Sequence, residues 1–149
     1  MDCLFCSLIQ KEKSAYVIYE DDAVFAFLDI FPRAIGHTIV VPKRHMETVL
    51  EMKPEEMQPF WTGVNNTLQI LKDYVYSQGL APYDGEVIRS GFTIGINHGK
   101  VSGQEIEHLH IHLMPRFEGD GGGSIQSVIK NSGTQDVKEV YERIKLLNT

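Results

Sequence analysis

Three histidines alternate with aliphatic residues in His108-Leu109-His110-Ile111-His112-Leu113-Met114. This is the period of a β-strand, whose successive side chains point to opposite faces. Leu109, Ile111 and Leu113 are therefore expected in a core, with the three imidazoles together on the other face. Along one strand those rings would stand roughly 6–7 Å apart. Imidazoles so close cannot all hold a second proton cheaply, so near neutral pH some stay uncharged and nucleophilic. Packing alone does not ask for three rings on one face, because Val or Thr suits a strand better. Metal ligation and nucleophilic attack both remain open at this point.

Two further groups could take part. Cys3-Leu4-Phe5-Cys6 holds both cysteines of the chain. In a reducing compartment this spacing reads as half a metal site, a redox pair or two unrelated thiols. Lys43, Arg44, Lys100 and Arg116 lie near the histidine-bearing segments in sequence and could make a site locally basic. The whole chain is acidic, with 14 Lys and Arg against 20 Asp and Glu and a net charge of −6. That argues against a nucleic-acid backbone as partner but leaves room for a small phosphate ligand.

The 149 residues suit a single domain able to bury about two-thirds of its unfolded surface. No apolar run approaches the roughly 18 residues of a membrane span. The first residues lack the basic start of a signal peptide, and Lys11, Glu12 and Lys13 interrupt the apolar stretch, so a cytoplasmic location is expected.

The elements that must position these residues can be read from periodicity and punctuation. Leu4 to about Lys13 is expected as a short helix with Asp2 as N-cap. Tyr16–Glu20, a turn at Asp21-Asp22 and Ala23–Asp29 form a hairpin. After a loop from Pro32 to Gly36, the β-branched run Thr38–Val41 is a strand that Pro42 ends. Pro54 opens a long helix with Met57, Phe60, Trp61, Val64, Leu68, Leu71 and Val75 on one stripe and Gly79 as cap. Pro59 should disturb its first turns, and Asn65 and Asn66 should face solvent. Gly91–Asn97 and Glu107–Pro115 complete the strands. The glycine-rich stretch from Gly119 to Ser124 has no Gly-Lys-Ser/Thr and is read as a connector, not a phosphate loop. Thr134 starts a last helix with Val137, Val140, Tyr141, Ile144 and Leu147 on one face. Hairpins with helices set apart imply an α+β fold on an antiparallel sheet.

The run from Gly103 to Leu113 resembles the signature of the histidine triad (HIT) nucleotide hydrolases and transferases. Cys3–Cys6, Phe25–Ile30, Gly36–His45 and Asn97 look like further landmarks in family order. The similarity spans about residues 3–117 of one HIT domain over 1–149, leaving 118–149 as glycine-rich connector and C-terminal helix. It implies a roughly five-stranded antiparallel sheet with a long helix, usually as a homodimer. It also implies attack on the α-phosphate of an adenosine nucleotide through a covalent nucleotidyl-histidine.

By this resemblance His110 is the nucleophile, His112 sits beside the transferring phosphoryl oxygens, and His37 is an additional imidazole of the cluster. Asp29 accepts hydrogen bonds from the ribose hydroxyls. Phe5, Leu8, Phe27, Ile30 and Ile39 wall a purine pocket, though plain core packing also explains most of them. Asn97, Gly103 and Gln104 lie along the phosphates and leaving group. Glu105 departs from the best-known eukaryotic branch, which has serine there; an acid would repel a phosphate tail and could meet an amine. Part of the family carries structural zinc, and Cys3, Cys6, His45 and His108 match its four ligands. No organic cofactor is implied.

Other readings compete. Triad histidines could hold a catalytic zinc that activates water, although no carboxylate lies in register on that strand. A protein that binds nucleotides without turning them over could keep the same pocket. A redox role for the cysteines lacks a thioredoxin-like context. The leaving group is open too: Pro115-Arg116 resembles branches acting on dinucleoside polyphosphates, and Asn97 the phosphoramidase branch.

Overall fold

A computed structural model describes residues 3–77, 90–117, 119–130 and 136–147. Five antiparallel strands form one sheet in the order β1-β2-β3-β5-β4, with β1 Val17–Glu20, β2 Val24–Leu28, β3 Thr38–Pro42, β4 Ser90–Gly95 and β5 Ile111–Phe117. The helices are α1 Leu4–Ile9, α2 Pro54–Ser77 and α3 Val137–Leu146. The α+β class and antiparallel sheet expected from the sequence are both present. Among the described residues, no helix is long and apolar enough to cross a membrane.

The sheet is covered on both faces near its centre. Val24, Ala26, Val40, Ile111 and Leu113 pack with Phe60, Val64 and Leu71 of α2. From the opposite face, Phe25, Phe27, Ile39 and Val41 meet Phe5 and Leu8 of α1. Two-sided burial is why β3 reads as an unbroken apolar run rather than an alternation. Gly63 lets α2 approach β2 closely: a Cβ there would stand 2.3 Å from Cγ2 of Val24.

Several local expectations change. α1 ends at Ile9, earlier than Lys13, because Lys11 takes a left-handed conformation (φ 60°) that closes a helix. In α2 the buried stripe is Phe60, Val64, Thr67 and Leu71, whereas Met57 and Trp61 are 44% and 48% exposed. The helix continues through Pro59. Asn66, expected in solvent, donates from Nδ2 to the Tyr19 hydroxyl at 2.8 Å. α3 is capped by Asp136, whose carboxylate accepts from the Lys138 and Glu139 amides. Asp2, Gly79 and Thr134, expected as caps, lie outside the described residues, as does the side chain of Val75.

The histidine strand is shorter than its alternation suggests: β5 begins at Ile111, not Glu107. β3 pairs with it at Val40↔Ile111, Ile39↔His112 and Thr38↔Leu113. Continuing that register sets Pro42 against Leu109, and proline has no N–H to extend the ladder. Leu109 instead donates its N–H to Met46 O at 2.6 Å, drawing 108–110 toward the segment after β3.

Candidate active site and metal centre

That redirection splits the three imidazoles between two sites. His108 lies beside His45, with ring centroids 5.0 Å apart, while His110 pairs with His112 at 5.1 Å. Leu109, Ile111 and Leu113 are buried as the pattern requires.

His110 is held by one bond. Its Nδ1 donates to the backbone carbonyl of His108 at 2.7 Å. In the neutral ring this leaves Nε2 as the unprotonated nitrogen. Phe5 stands edge-on to the ring at 5.3 Å between centroids, and His110 is buried.

A hydrogen-bond chain sets the neighbouring rings. The Arg33 amide donates to His37 Nδ1 at 3.1 Å, and His37 Nε2 lies 2.9 Å from His112 Nδ1. With Nδ1 accepting, neutral His37 carries its proton on Nε2 and donates to His112. His112 Nδ1 is then an acceptor, and its remaining donor is Nε2–H. Burial pushes the pKa of His112 down to about 4, helped by His110 and His37, and burial also lowers His37. Asp29 Oδ2 stands 3.5 Å from His37 Nδ1. Because that nitrogen already accepts the Arg33 amide, the contact is not an ion pair. Asp29 Oδ1 accepts from the Phe31 amide at 2.8 Å, which fixes the carboxylate at the end of β2.

Asp29, His37 and His112 have ligand atoms within 4.8 Å of one another. Both His37 nitrogens and His112 Nδ1 are engaged in the chain, so this group suits hydrogen bonding better than a cation. The second cluster is different in chemistry. Cys3 caps α1 and Cys6 lies one turn on, so both thiols face one way. Their Sγ atoms stand 3.4 and 3.6 Å from His108 Nδ1, and Cys6 Sγ is 3.4 Å from His45 Nδ1. A tetrahedral zinc with two sulfur and two nitrogen ligands has sulfur–nitrogen edges of about 3.5 Å. His108 Nε2 donates to Pro42 O at 2.9 Å, which turns the Nδ1 lone pair toward the thiols. These four residues fit a closed zinc site. Burial pushes the Cys6 thiol up to about 11 and the His108 imidazole down to about 4.

The remaining expected residues are placed unequally. Phe5, Leu8, Phe27 and Ile39 form the apolar cluster under α1, while Ile30 is 69% exposed. Asn97 lies next to Gly103, whose φ of +93° suits glycine. Gln104 is a brace: Oε1 accepts from the Gly99 amide, and Nε2 donates to Glu47 O and Ile106 O. Its amide hydrogens are thus committed to the loop, not free for phosphate oxygens. Glu105 is exposed. The expected local basic patch does not form, because Lys43, Arg44, Lys100 and Arg116 pair with Glu20, Glu56, Glu107 and Asp120. Two contributors were missed in the sequence, the Arg33 amide and Gly95, which pairs directly with His112. The small residues Thr93 and Gly95 alternate with Phe92, Ile94 and Ile96, a pattern that leaves one face of β4 without large side chains.

Residues 10–119 match the HIT domain family. An uncharacterised HIT-like protein of Methanocaldococcus jannaschii is 42% identical over 143 residues, covering 96% of this chain and 98% of that one. An adenylylsulfatase of Arabidopsis thaliana is 30% identical over 131 residues, 88% of this chain and 60% of that protein. The crystal structure of a HIT family member from Bacillus subtilis superimposes with a TM-score of 0.73 at 30% identity, covering 97% of this chain and 96% of that one. The chain belongs to the HIT family.

Proposed function

We propose that this chain hydrolyses or transfers the nucleotidyl group of adenosine nucleotides through a covalent intermediate on His110. The observation that carries the reading is the His110 bond to the His108 carbonyl, which leaves Nε2 with a lone pair. The adenylylsulfatase relative supports attack on a phosphorus that carries adenosine.

In the first step Nε2 attacks the α-phosphorus, forming a P–N bond as the bond to the leaving group breaks. The leaving group departs with that electron pair and takes a proton from solvent. In the second step water attacks phosphorus, the P–N bond breaks back to His110, and AMP and a proton are released. Splitting one displacement in two lowers each barrier. His112 Nε2–H donates to the phosphoryl oxygens where charge builds up. Asp29 accepts from the ribose hydroxyls. Phe5, Leu8, Phe27 and Ile39 take the purine, with Ile30 at the rim and Asn97 and Gly103 beside the phosphates.

Cys3, Cys6, His45 and His108 would hold zinc, whose chemistry here is to crosslink α1 to the histidine segment. Pairing with a second copy belongs to the same reading and is supported by the exposed apolar residues of α2 and by the place of β4 as an outermost strand among the described residues.

The test is rapid quenching with an adenosine phosphoramidate, followed by protein mass measurement. The parent should gain one adenylyl group, and His110→Ala should gain none and lose turnover by at least about a thousandfold. Turnover retained by His110→Ala would overturn the covalent route. Turnover abolished by a chelator with the fold intact would favour a catalytic metal.

A further inference from the structure

The connector after β5 is tied back onto the face that carries His112. Strand alternation puts His112, Met114 and Arg116 on that face, opposite the core residues Ile111 and Leu113. Arg116 Nε and Nη2 donate to the two carboxylate oxygens of Asp120. Its Nη1 donates to Thr93 Oγ1 at 3.0 Å and to Gly123 O at 2.9 Å. Asp120 also accepts from the Phe117 and Gly122 amides. One guanidinium thereby clamps the glycine-rich stretch across the ends of β4 and β5.

The clamp delivers Ile125 to a specific place. Its Cδ1 lies 3.9 Å from where a Cβ on Gly95 would be. Gly95 is the direct ladder partner of His112, so the two Cα atoms are only about 5 Å apart. An apolar side chain from the strap thus fills the position beside His112 that β4 leaves without one. Ile125 keeps 55% of its surface exposed, and Val128 and Ile129 on the same strap are exposed as well.

We propose that this strap, residues 119–129, walls the leaving-group side of the site and favours nitrogen-linked leaving groups with an apolar tail over polyphosphate tails. The inference rests on the nucleotidyl-transfer reading of His110 and His112. Charge points the same way. Arg116, on the same strand face as His112, is spent on Asp120, and Lys100 in the preceding loop sits 3.5 Å from Glu107. A polyphosphate tail would meet a carbon wall with no unpaired guanidinium from Arg116 to receive it. An amine carrying an aromatic or alkyl group would bury that group on Ile125 and Val128.

The experiment measures kcat/KM for adenosine phosphoramidates of ammonia and of phenethylamine, with a dinucleoside polyphosphate as third substrate. The parent should prefer the phenethylamine compound over the polyphosphate. The phenethylamine-to-ammonia ratio should fall about tenfold in Ile125→Ser. Arg116→Ala should lower it similarly with Ile125 intact, and exchange of the pair (Arg116→Asp with Asp120→Arg) should recover part of it, the mark of a positioning role. Binding of non-hydrolysable adenosine sulfamates, bare or N-phenethyl, gives the same ratio without turnover. An unchanged ratio in Ile125→Ser, or a parent that prefers the polyphosphate, overturns the strap while leaving nucleotidyl transfer in place. A parent that binds neither sulfamate overturns nucleotidyl transfer and the strap with it.

Discussion

His37 and His112 face each other where β3 and β5 pair, with Nε2 and Nδ1 2.9 Å apart although 75 positions separate them in sequence. The Arg33 amide on the far side of His37 gives this contact a direction, since it makes His37 the donor and His112 the acceptor. A backbone N–H in a loop thereby decides which nitrogen of His112 keeps its proton.

Removing that donor should slow chemistry more than binding. His37→Phe frees His112 to adopt the other tautomer, and turnover should fall by about ten- to a hundredfold with KM for the nucleotide changed much less. Steady-state kinetics across pH 5–9 check this. A variant that matches the parent in rate and in profile would remove His37 from the mechanism.

Acid should weaken the fold in a defined window. Burial lowers His112 from 6.5 to about 4 and lowers His37 as well. Between those values the unfolded chain binds protons that the folded chain refuses, so stability rises with pH. The loss therefore begins as pH drops below about 6.5 and grows to about pH 4, by up to ~1.4 kcal/mol per pH unit for each such group. Urea unfolding at intervals from pH 8 to 4 reads the slope. His112→Asn should reduce it by one proton, and an equal slope would show that His112 titrates normally.

Protein purified without an affinity tag should contain about one equivalent of zinc. Binding of zinc to the stripped protein should release thiol protons, seen as a dependence of the calorimetric heat on buffer ionisation. Cys3→Ser with Cys6→Ser should abolish both and lower Tm by about 5 °C or more. Less than about a tenth of an equivalent in the parent, with both thiols freely reactive, would end the zinc assignment.

Gly63→Ala tests the close approach of α2 to the sheet. The added methyl would stand 2.3 Å from Cγ2 and 2.9 Å from Cγ1 of Val24, on a strand buried from both sides. Overpacking there should cost about 1–3 kcal/mol or more. Val24→Ala in the same chain should restore part of it, a coupling that a double-mutant cycle measures. Independent, additive effects would mean that helix and strand are not in contact.

The alternation of Leu109, Ile111 and Leu113 and the β-branched Thr38–Val41 run made the core and two strands of the site legible. Sequence similarity carried the grouping of Cys3, Cys6, His45 and His108, which no local pattern contains. The start of β5 was hidden because it depends on Pro42 lying opposite Leu109, a partner 67 residues away that period-two reading cannot see. Asn66, Lys43 and Arg44 find their partners Tyr19, Glu20 and Glu56 through tertiary geometry, whereas Lys100 and Arg116 are neutralised by acids only seven and four residues further along the chain. Met57 and Trp61 followed the helical period yet stayed outside, since the sheet spans only part of the apolar arc of α2.

The peptide unit of His108 belongs to two environments at once. Its ring looks toward the thiols, and its carbonyl grips His110. Whatever tightens or loosens one is felt mechanically by the other across a single residue. Under the proposed zinc and nucleophile roles, loss of the metal is expected to show first as a His110 ring that drifts out of aim, with the scaffold still standing.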